Sequence, residues 1–199
     1  MWNEQIIMML LEGIKDTLYM TLTSTLIGYV IGLPMGILLT VTDKDGIHPN
    51  AAVYKVLDVI ANLIRSVPFL ILLIVLIPFT RFLIGRSYGP TATIVPLVIA
   101  AAPYIARMVE SSLKEVDAGV IEAARSMGAS NFTIVTKVML VEARTSLIVG
   151  ATISLGTILG YSAMAGTVGG GGLGDIAIRY GYTRWQTDIM VVTVVLLVI

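Results

Sequence analysis

The stretch Ile121-Glu122-Ala123-Ala124-Arg125-Ser126-Met127-Gly128 lies at the centre of a mixed-charge segment, Arg107 to Arg144, in an otherwise largely apolar chain. The segments on either side are apolar enough to cross a bilayer. The residues of the quoted stretch favour a helix. A membrane protein that keeps a long, charged, helix-forming loop has a surface on which a soluble partner can dock, so we expect a membrane subunit that is driven by such a partner.

The composition places the chain among polytopic membrane proteins. Of its 199 residues, 56% are hydrophobic and 13% are charged, and the charged share is about half that of soluble domains. The 13 basic and 13 acidic residues balance, so no basic patch indicates a nucleic acid partner. The chain has no cysteine and a single histidine, His48. We therefore expect no metal site, no cofactor and no catalytic residues.

Charge-free runs predict an all-α fold with five membrane spans in a single domain over residues 1–199. The predicted spans are 17–42, 57–80, 91–106, 145–168 and 186–199, with the polar loop at 107–144. The last apolar run is too short for a helix to cross about 30 Å of hydrocarbon. We expect the sequence to stop inside its fifth span, with a re-entrant segment as the alternative.

The N-terminal residues 1–16 are acidic and therefore unlike a signal peptide. Their apolar positions fit an amphipathic helix that lies at the membrane interface, and a short disordered tail is the alternative.

The distribution of lysine and arginine predicts that the N-terminus is outside. In that orientation the cytoplasmic side holds eight basic residues and the outer side holds five. The cytoplasmic set is Lys44, Lys55, Arg65, Arg107, Lys114, Arg125, Lys137 and Arg144. The outer set is Lys15, Arg81, Arg86, Arg179 and Arg184. Positive charge is favoured on the cytoplasmic side, and the five spans would then carry the chain to a cytoplasmic C-terminus.

Glycines recur at helical spacing in two of the predicted spans. Gly28, Gly32 and Gly36 form overlapping GxxxG units, and Gly156 and Gly160 form another. Such faces allow two helices to approach closely in lipid. Packing within the chain is the simpler interpretation of each pair, and packing against a second chain is the alternative.

A glycine-rich stretch, Gly169 to Asp175, contains the spacing GxGxxG. A dinucleotide site would require a strand before this motif and a helix after it in a soluble unit. A predicted membrane span precedes it instead, and no Lys-Ser or Lys-Thr follows. We therefore exclude nucleotide binding and expect a flexible or re-entrant outer loop that contributes to an external gate.

Charged residues inside the membrane would indicate coupling to an ion gradient. The first, third and fourth predicted spans contain none, and Arg65 enters the second span near its cytoplasmic end. There, snorkelling of the long side chain accounts for its position. The chain has neither an ion-coupling site nor a nucleotide motif, so its energy must come from another subunit.

Within the polar loop, Val120, Ile121, Ala124 and Met127 share one face of a predicted helix. The small side chains of Ala123 and Ala124 would let a partner come close to that helix. Gly128 is suited to end it, and Ser130 to cap a second helix. From the residues alone, a docking helix and an ordinary solvated amphipathic helix are equally consistent with this pattern.

The loop resembles the cytoplasmic signature of permease subunits of bacterial ABC importers. The matching residues are Glu122-Ala123-Ala124, Gly128 and Val138-Met139-Leu140, and Val141 replaces the proline of the family motif. In that family the segment is a coupling helix that docks on an ATPase subunit. The resemblance implies that Val120, Ile121, Glu122, Ala123, Ala124, Met127 and Gly128, within a lever of Val116 to Gly128, form the docking site.

Three further stretches resemble the methionine-importer branch of this family. They are Arg65 to Phe69, Ala101 to Glu110 and Gly160 to Gly166. The branch implies a homodimeric permease in the bacterial inner membrane, two ABC ATPase subunits, an external substrate-binding protein and methionine as substrate. Because ATP hydrolysis then belongs to the partner, the chain itself is not expected to be an enzyme.

The resemblance also suggests residues of the translocation pathway. Met164 is the expected gate residue, since a flexible apolar side chain can close a pathway near a symmetry axis. Tyr161, Ser162, Ser66 and Pro68 are further pathway candidates. Packing against lipid or protein is the alternative for the residues near Met164.

Two other functions stay open on the sequence alone. One is an importer of the same kind for another small amino acid. The other is an ATP-independent channel or carrier, and a membrane scaffold is a more distant possibility. Co-purification with an ATPase would discriminate between the first and the second of these classes.

Overall fold

The computed structural model describes residues 4–199, and within that range it contains helices and no strands. The all-α fold class is therefore confirmed. In chain order the α-helices are α1 (Glu4–Thr42), α2 (Ala51–Ser66), α3 (Phe69–Val75), α4 (Ile77–Ile84), α5 (Pro90–Lys114), α6 (Ala118–Ser126), α7 (Asn131–Thr133), α8 (Leu140–Glu142), α9 (Arg144–Ala165), α10 (Gly172–Ile176) and α11 (Thr187–Val198). Two π-helical segments, Ile134–Met139 and Ala177–Tyr182, and a 3₁₀ turn, Gly166–Val168, continue α7, α10 and α9.

Three helical segments in residues 4–199 are long and apolar enough to cross a membrane. They are Glu4–Thr42, Pro90–Lys114 and Arg144–Val168. The broken pair α2 and α3 raises the number to four if it forms one span, and α11 is apolar but shorter. The predicted count of five spans and the single-domain boundaries stay predictions.

The first helix differs from its predicted bounds. Residues 1–16 were expected to form an interfacial amphipathic helix or a disordered tail; their described part, 4–16, is the start of α1, which is continuous over 39 residues, or about 58 Å at about 1.5 Å per residue. Leu10 is buried against Leu173, Ile176 and Ile189. The chain itself therefore covers one apolar face of this segment, whereas Ile7, Met8 and Leu11 stay exposed. Residues 1–3 lie outside the described part of the chain.

The predicted second span, 57–80, consists of separate helices, with α2 beginning earlier at Ala51 and a break before α3. Pro68 causes the break, because it has no backbone N–H and disfavours helical geometry in the preceding residue. Val67 accordingly has extended backbone angles, φ −84° and ψ 126°. The predicted third span is also longer, because α5 extends through Arg107 to Lys114.

The chain divides into two compact units. The described part of the first comprises residues 4–26, 68–99 and 155–199. In this unit the glycine-rich stretch is packed, not open. The Leu173 backbone N–H donates to Thr17 Oγ1 at 2.9 Å, and the Gly89 N–H donates to the Gly169 carbonyl at 2.9 Å. The segment α10 within this stretch is buried, and the predicted outer loop, flexible or re-entrant, stays a prediction.

The second unit comprises residues 27–67 and 100–154. Its packing explains the glycines of α1. A Cβ atom at Gly32 would lie 2.6 Å from the Ala102 carbonyl oxygen, and one at Gly36 would lie 2.5 Å from the Ala106 carbonyl oxygen. The two helices can approach this closely only because these positions lack side chains. This glycine face therefore packs within the chain, against α5.

Candidate functional site

The helix α6, at the centre of the polar loop, is delimited at both ends by its own sequence. Asp117 caps its start and accepts a hydrogen bond from the Gly119 N–H at 2.7 Å. At its end Gly128 has a φ of 81°. The Gly128 N–H donates to the Arg125 carbonyl at 3.0 Å and the Ala129 N–H to the Ala124 carbonyl at 3.1 Å. This is a Schellman ending, which favours glycine at the left-handed position.

The next helical segment begins as the sequence predicts. Ser130 caps α7 and accepts a hydrogen bond from the Thr133 N–H at 3.2 Å. The π-helical segment that follows packs against α6, and its side chains Ile134 and Met139 are buried. The polar loop is therefore folded, with α6 packed against the segment Ile134–Met139.

The predicted docking residues divide between two faces of α6. Ala124 is 5% exposed and faces its own unit, and Ile121 is half-buried. Val120, Ala123 and Met127 lie along an exposed stripe, where Met127 is 82% exposed. The predicted single face of Val120, Ile121, Ala124 and Met127 is thus partly used for packing, and the surface open to a partner is the stripe through Ala123.

The other predicted docking residues, Glu122 and Gly128, are exposed. Phe132, on the helix that follows, is 78% exposed and was not among the predicted docking residues. Its signal in the sequence is weak, because an aromatic residue next to a helix cap is usually expected to pack inward. An exposed phenylalanine in the same polar loop as Met127 adds to the exposed apolar surface of the loop.

A cavity of about 490 Å³ lies between α6 and the link that joins α1 to α2. Its lining mixes apolar side chains, such as Ile121 and Met139, with Asp43, Lys114 and Arg125. Arg125 crosses toward the link and donates from Nη2 to the Ile47 carbonyl oxygen at 2.8 Å. This hydrogen bond attaches α6 to the link.

A chain of ion pairs lies beside this cavity. Lys114 Nζ is 2.6 Å from Asp43 Oδ2 and 2.8 Å from Glu110 Oε1. Arg107 Nη1 is 2.6 Å from Glu110 Oε2, and its Nη2 pairs with Asp58. The hydrogen bond from Lys114 is the main cause that holds the pKa of Asp43 below its ordinary value of 3.8. Sequence reasoning missed this cluster; helical spacing places Arg107, Glu110 and Lys114 side by side, but their partners Asp43 and Asp58 are distant in the chain.

The expected pathway residues near Met164 have distinct environments in the first unit. Tyr161 is stacked on Phe69 with 4.5 Å between ring centroids. Ser162 is buried, accepts a hydrogen bond from Thr21 Oγ1 at 3.4 Å, and donates to the Leu159 carbonyl at 2.8 Å. Met164 is 51% exposed. Met164 is therefore partly exposed, whereas Tyr161 and Ser162 make packing contacts; the gate role of Met164 stays a prediction.

The two remaining pathway candidates flank the break after α2. Ser66 is exposed and donates to the Asn62 carbonyl at 2.7 Å. Pro68 is exposed and produces the break itself. In residues 4–199 no group of three or more His, Cys, Asp or Glu side chains is arranged to hold a metal ion.

Comparison with known proteins identifies the class to which this arrangement belongs. Residues 12–199 match the model of the binding-protein-dependent transport system inner membrane component. The chain belongs to this family, which confirms the resemblance found in the sequence. It is accordingly a multi-pass protein of the inner membrane.

The relatives within the family include proteins of methionine transport. A probable D-methionine transport system permease protein MetI of Vibrio cholerae is 48% identical over 191 residues, which cover 96% of this chain and 85% of the relative. The D-methionine transport system permease protein MetI of Escherichia coli K12 is 51% identical over 164 residues, which cover 82% of this chain and 76% of the relative.

Solved structures of ABC transporters also contain chains that are similar to this one. The MetNI methionine ABC transporter, in inward-facing conformations, contains a chain that superposes with a TM-score of 0.97 at 50% identity, covering 99% of this chain and 91% of that one. A crystal structure of an amino acid ABC transporter with histidines has a TM-score of 0.72 at 22% identity, over 97% of this chain and 87% of that one. The latter shows the shared fold alone.

Proposed function

We propose that this chain is the permease subunit of an ATP-driven importer of methionine. Two copies form the translocation pathway, two ABC ATPase subunits bind the cytoplasmic α6 helices, and an external binding protein delivers the substrate. The observation that carries the proposal is the superposition, over nearly the whole chain at 50% identity, with a subunit of a methionine ABC transporter. Hydrolysis of ATP belongs to the partner, so this chain is not an enzyme.

The shape of α6 supports the docking part of this proposal. Its exposed stripe of Val120, Ala123 and Met127 offers apolar contacts, and its buried residue Ala124 attaches it to the second unit. Exposed apolar side chains on a fixed helix are suited to a groove of a partner protein. Glu122, also exposed, would add a charged contact at the rim of that surface.

The absence of charge from the predicted membrane-crossing parts of α1, α5 and α9 supports an external energy source. No Asp, Glu, Lys or Arg lies in residues 17–42, 91–106 or 145–168. Proton and ion relays depend on such residues inside the membrane. We further propose that the N-terminus faces outward, which places α6 in the cytoplasm, where ATP is available.

Transport by the reconstituted complex tests the function. Proteoliposomes that contain the permease and its co-purified ATPase are given labelled L-methionine or D-methionine, with the binding protein supplied. We expect uptake that requires ATP and that unlabelled methionine suppresses. ATP-dependent uptake of another amino acid, with none of methionine, would restrict the proposal to the importer class. Uptake that continues without any ATPase would overturn the importer itself.

A further inference from the structure

The ion pairs beside the cavity form one continuous chain of five side chains, Asp43–Lys114–Glu110–Arg107–Asp58, here called the charge chain. Glu110 is its centre: the side chain is 6% exposed and accepts hydrogen bonds from both cations. A buried carboxylate between two cations strongly constrains the positions of both, because removal of either cation leaves it incompletely compensated.

The charge chain joins three elements of the second unit. Its central members, Arg107, Glu110 and Lys114, lie in the last turns of α5. Asp43 follows directly after α1, and Asp58 lies in α2. Arg107 also donates to Asn62 Oδ1 of α2 at 3.1 Å. The end of α1, through Asp43, and the middle of α2, through Asp58, are therefore each attached to α5 by charged hydrogen bonds.

The charge chain begins next to α6. Lys114 is the last residue of α5, and Asp117 already caps α6. On the far side of the cavity, Arg125 of α6 donates to the Ile47 carbonyl of the α1–α2 link. Because a cavity separates this part of α6 from the link, their connection depends on individual polar contacts more than on packed side chains.

From this geometry we infer that Lys114 and Arg125 are positioning residues that couple α6 to the end of α1, to the α1–α2 link and, through the charge chain, to the middle of α2. A displacement of α6 by the ATPase would move Lys114 and the Ile47 carbonyl, and the charge chain would pass that displacement to the two helices. The inference rests on the proposed function, since it requires an ATPase that moves α6. Neither Lys114 nor Arg125 is inferred to contact the substrate.

The sharpest test measures how many substrate molecules are transported for each ATP hydrolysed. The complete transporter is reconstituted with the permease variants Lys114→Met and Asp43→Asn, singly and together. Each substitution removes one charge at nearly constant side-chain size. We expect ATP hydrolysis to continue while transport per ATP falls roughly two- to tenfold, a range typical of residues that carry coupling between sites. The double variant should be no worse than the poorer single variant, because both break the same contact.

Two further variants separate coupling from stability. Lys114→Arg keeps a cation that can bridge Asp43 and Glu110, and it should restore most of the ratio. Lys44→Met is the matched control, because Lys44 lies beside Asp43 but its ion pair with Asp45 is exposed, with side-chain exposures of 84% and 82%. It should leave the ratio unchanged.

The possible outcomes decide between distinct explanations. A lower ratio in Lys114→Met and Asp43→Asn, with the Lys44→Met ratio intact, supports the inference. Parallel loss of transport and hydrolysis, or an unchanged ratio, would overturn it and leave the charge chain a purely structural feature. If Lys114→Met does not assemble, Asp43→Asn decides alone. A wild-type complex that hydrolyses ATP but moves no methionine would instead contradict the proposed function.

Discussion

At the scale of single residues, the adjacent alanines of α6 are in opposite environments. Ala124 is 5% exposed, whereas Ala123 is exposed. We predict that Ala124→Leu lowers the free energy of unfolding of the permease by about 1–3 kcal/mol, because extra methylene groups strain a packed site. Ala123→Leu should change it by less than about 0.5 kcal/mol. Thermal unfolding of the purified permease in detergent measures both.

The same pair of variants distinguishes docking from folding. Ala123→Leu should weaken capture of the ATPase by the immobilised permease, although the permease itself remains as stable as the wild type. Normal capture by Ala123→Leu would mean that the stripe through Ala123 is not the docking surface. The comparison is well matched, since the same side chain is added at neighbouring positions.

The shifted pKa of Asp43 predicts that the stability of the folded permease depends on pH. The hydrogen bond from Lys114 keeps the pKa of Asp43 lower in the folded chain than its ordinary 3.8. A carboxylate with a depressed folded pKa stabilises the fold above its unfolded pKa, and this contribution is lost as the pH falls through the folded value. Wild type should therefore be more thermostable than Asp43→Asn at pH 7, and the difference should shrink below about pH 4. A difference that stays constant down to pH 3 would contradict this.

At the scale of elements, the glycine face of α1 gives a prediction about helix packing. A Cβ atom at Gly32 would lie 2.6 Å from a backbone oxygen, and backbone cannot move aside as a side chain can. We predict that Gly32→Ala costs about 1–3 kcal/mol through overpacking. Gly150→Ala is the control: its Cβ would lie 3.4 Å from the Met108 side chain, an ordinary contact. Equal unfolding temperatures for the two variants would contradict the packing.

Local chemistry made some elements predictable from the sequence. The left-handed glycine at Gly128 and the cap at Ser130 depend on residues within one helical turn, and both are found as expected. The helix predicted within residues 114–127, which forms most of the expected lever Val116 to Gly128, is α6, Ala118–Ser126. Helix ends of this kind can be predicted from the sequence, because capping preferences involve only a few neighbouring residues.

Features that depend on distant residues could not be predicted in this way. In residues 4–16 of α1, Leu10 packs against Leu173, Ile176 and Ile189. An amphipathic pattern shows that one face of a helix is apolar, but it does not show whether protein or lipid covers that face. The partners Lys114 and Asp43, like Arg107 and Asp58, are far apart in the chain. Charge patterning identifies neighbours on one helix, so helical spacing can pair Glu110 with Arg107 and Lys114 but cannot extend the network to Asp43 and Asp58. The burial of Ala124 likewise depends on distant residues, so the local sequence did not predict it.

At the scale of the whole molecule, the membrane topology depends on the broken pair α2 and α3, which lies between the α1–α2 link and the α4–α5 link. The first long apolar helix, α1, ends before Lys44, and Arg86 precedes α5. If α2 and α3 together form one span, these two residues lie on opposite sides. If the broken pair is re-entrant, they lie on the same side. The excess of lysine and arginine at the predicted cytoplasmic positions favours the first arrangement, with Lys44 inside.

The absence of cysteine makes this topology directly testable, because no native thiol competes for label. We predict that Arg86→Cys reacts with a membrane-impermeant maleimide in intact cells, whereas Lys44→Cys reacts only after permeabilisation. Both native side chains are exposed, so accessibility of the position itself does not limit labelling. Lys137→Cys, in the polar loop, should behave like Lys44→Cys if α6 faces the cytoplasm. Reversed labelling would contradict the outward N-terminus, and matching labelling of Arg86→Cys and Lys44→Cys would show that the segment containing Pro68 turns back before it crosses.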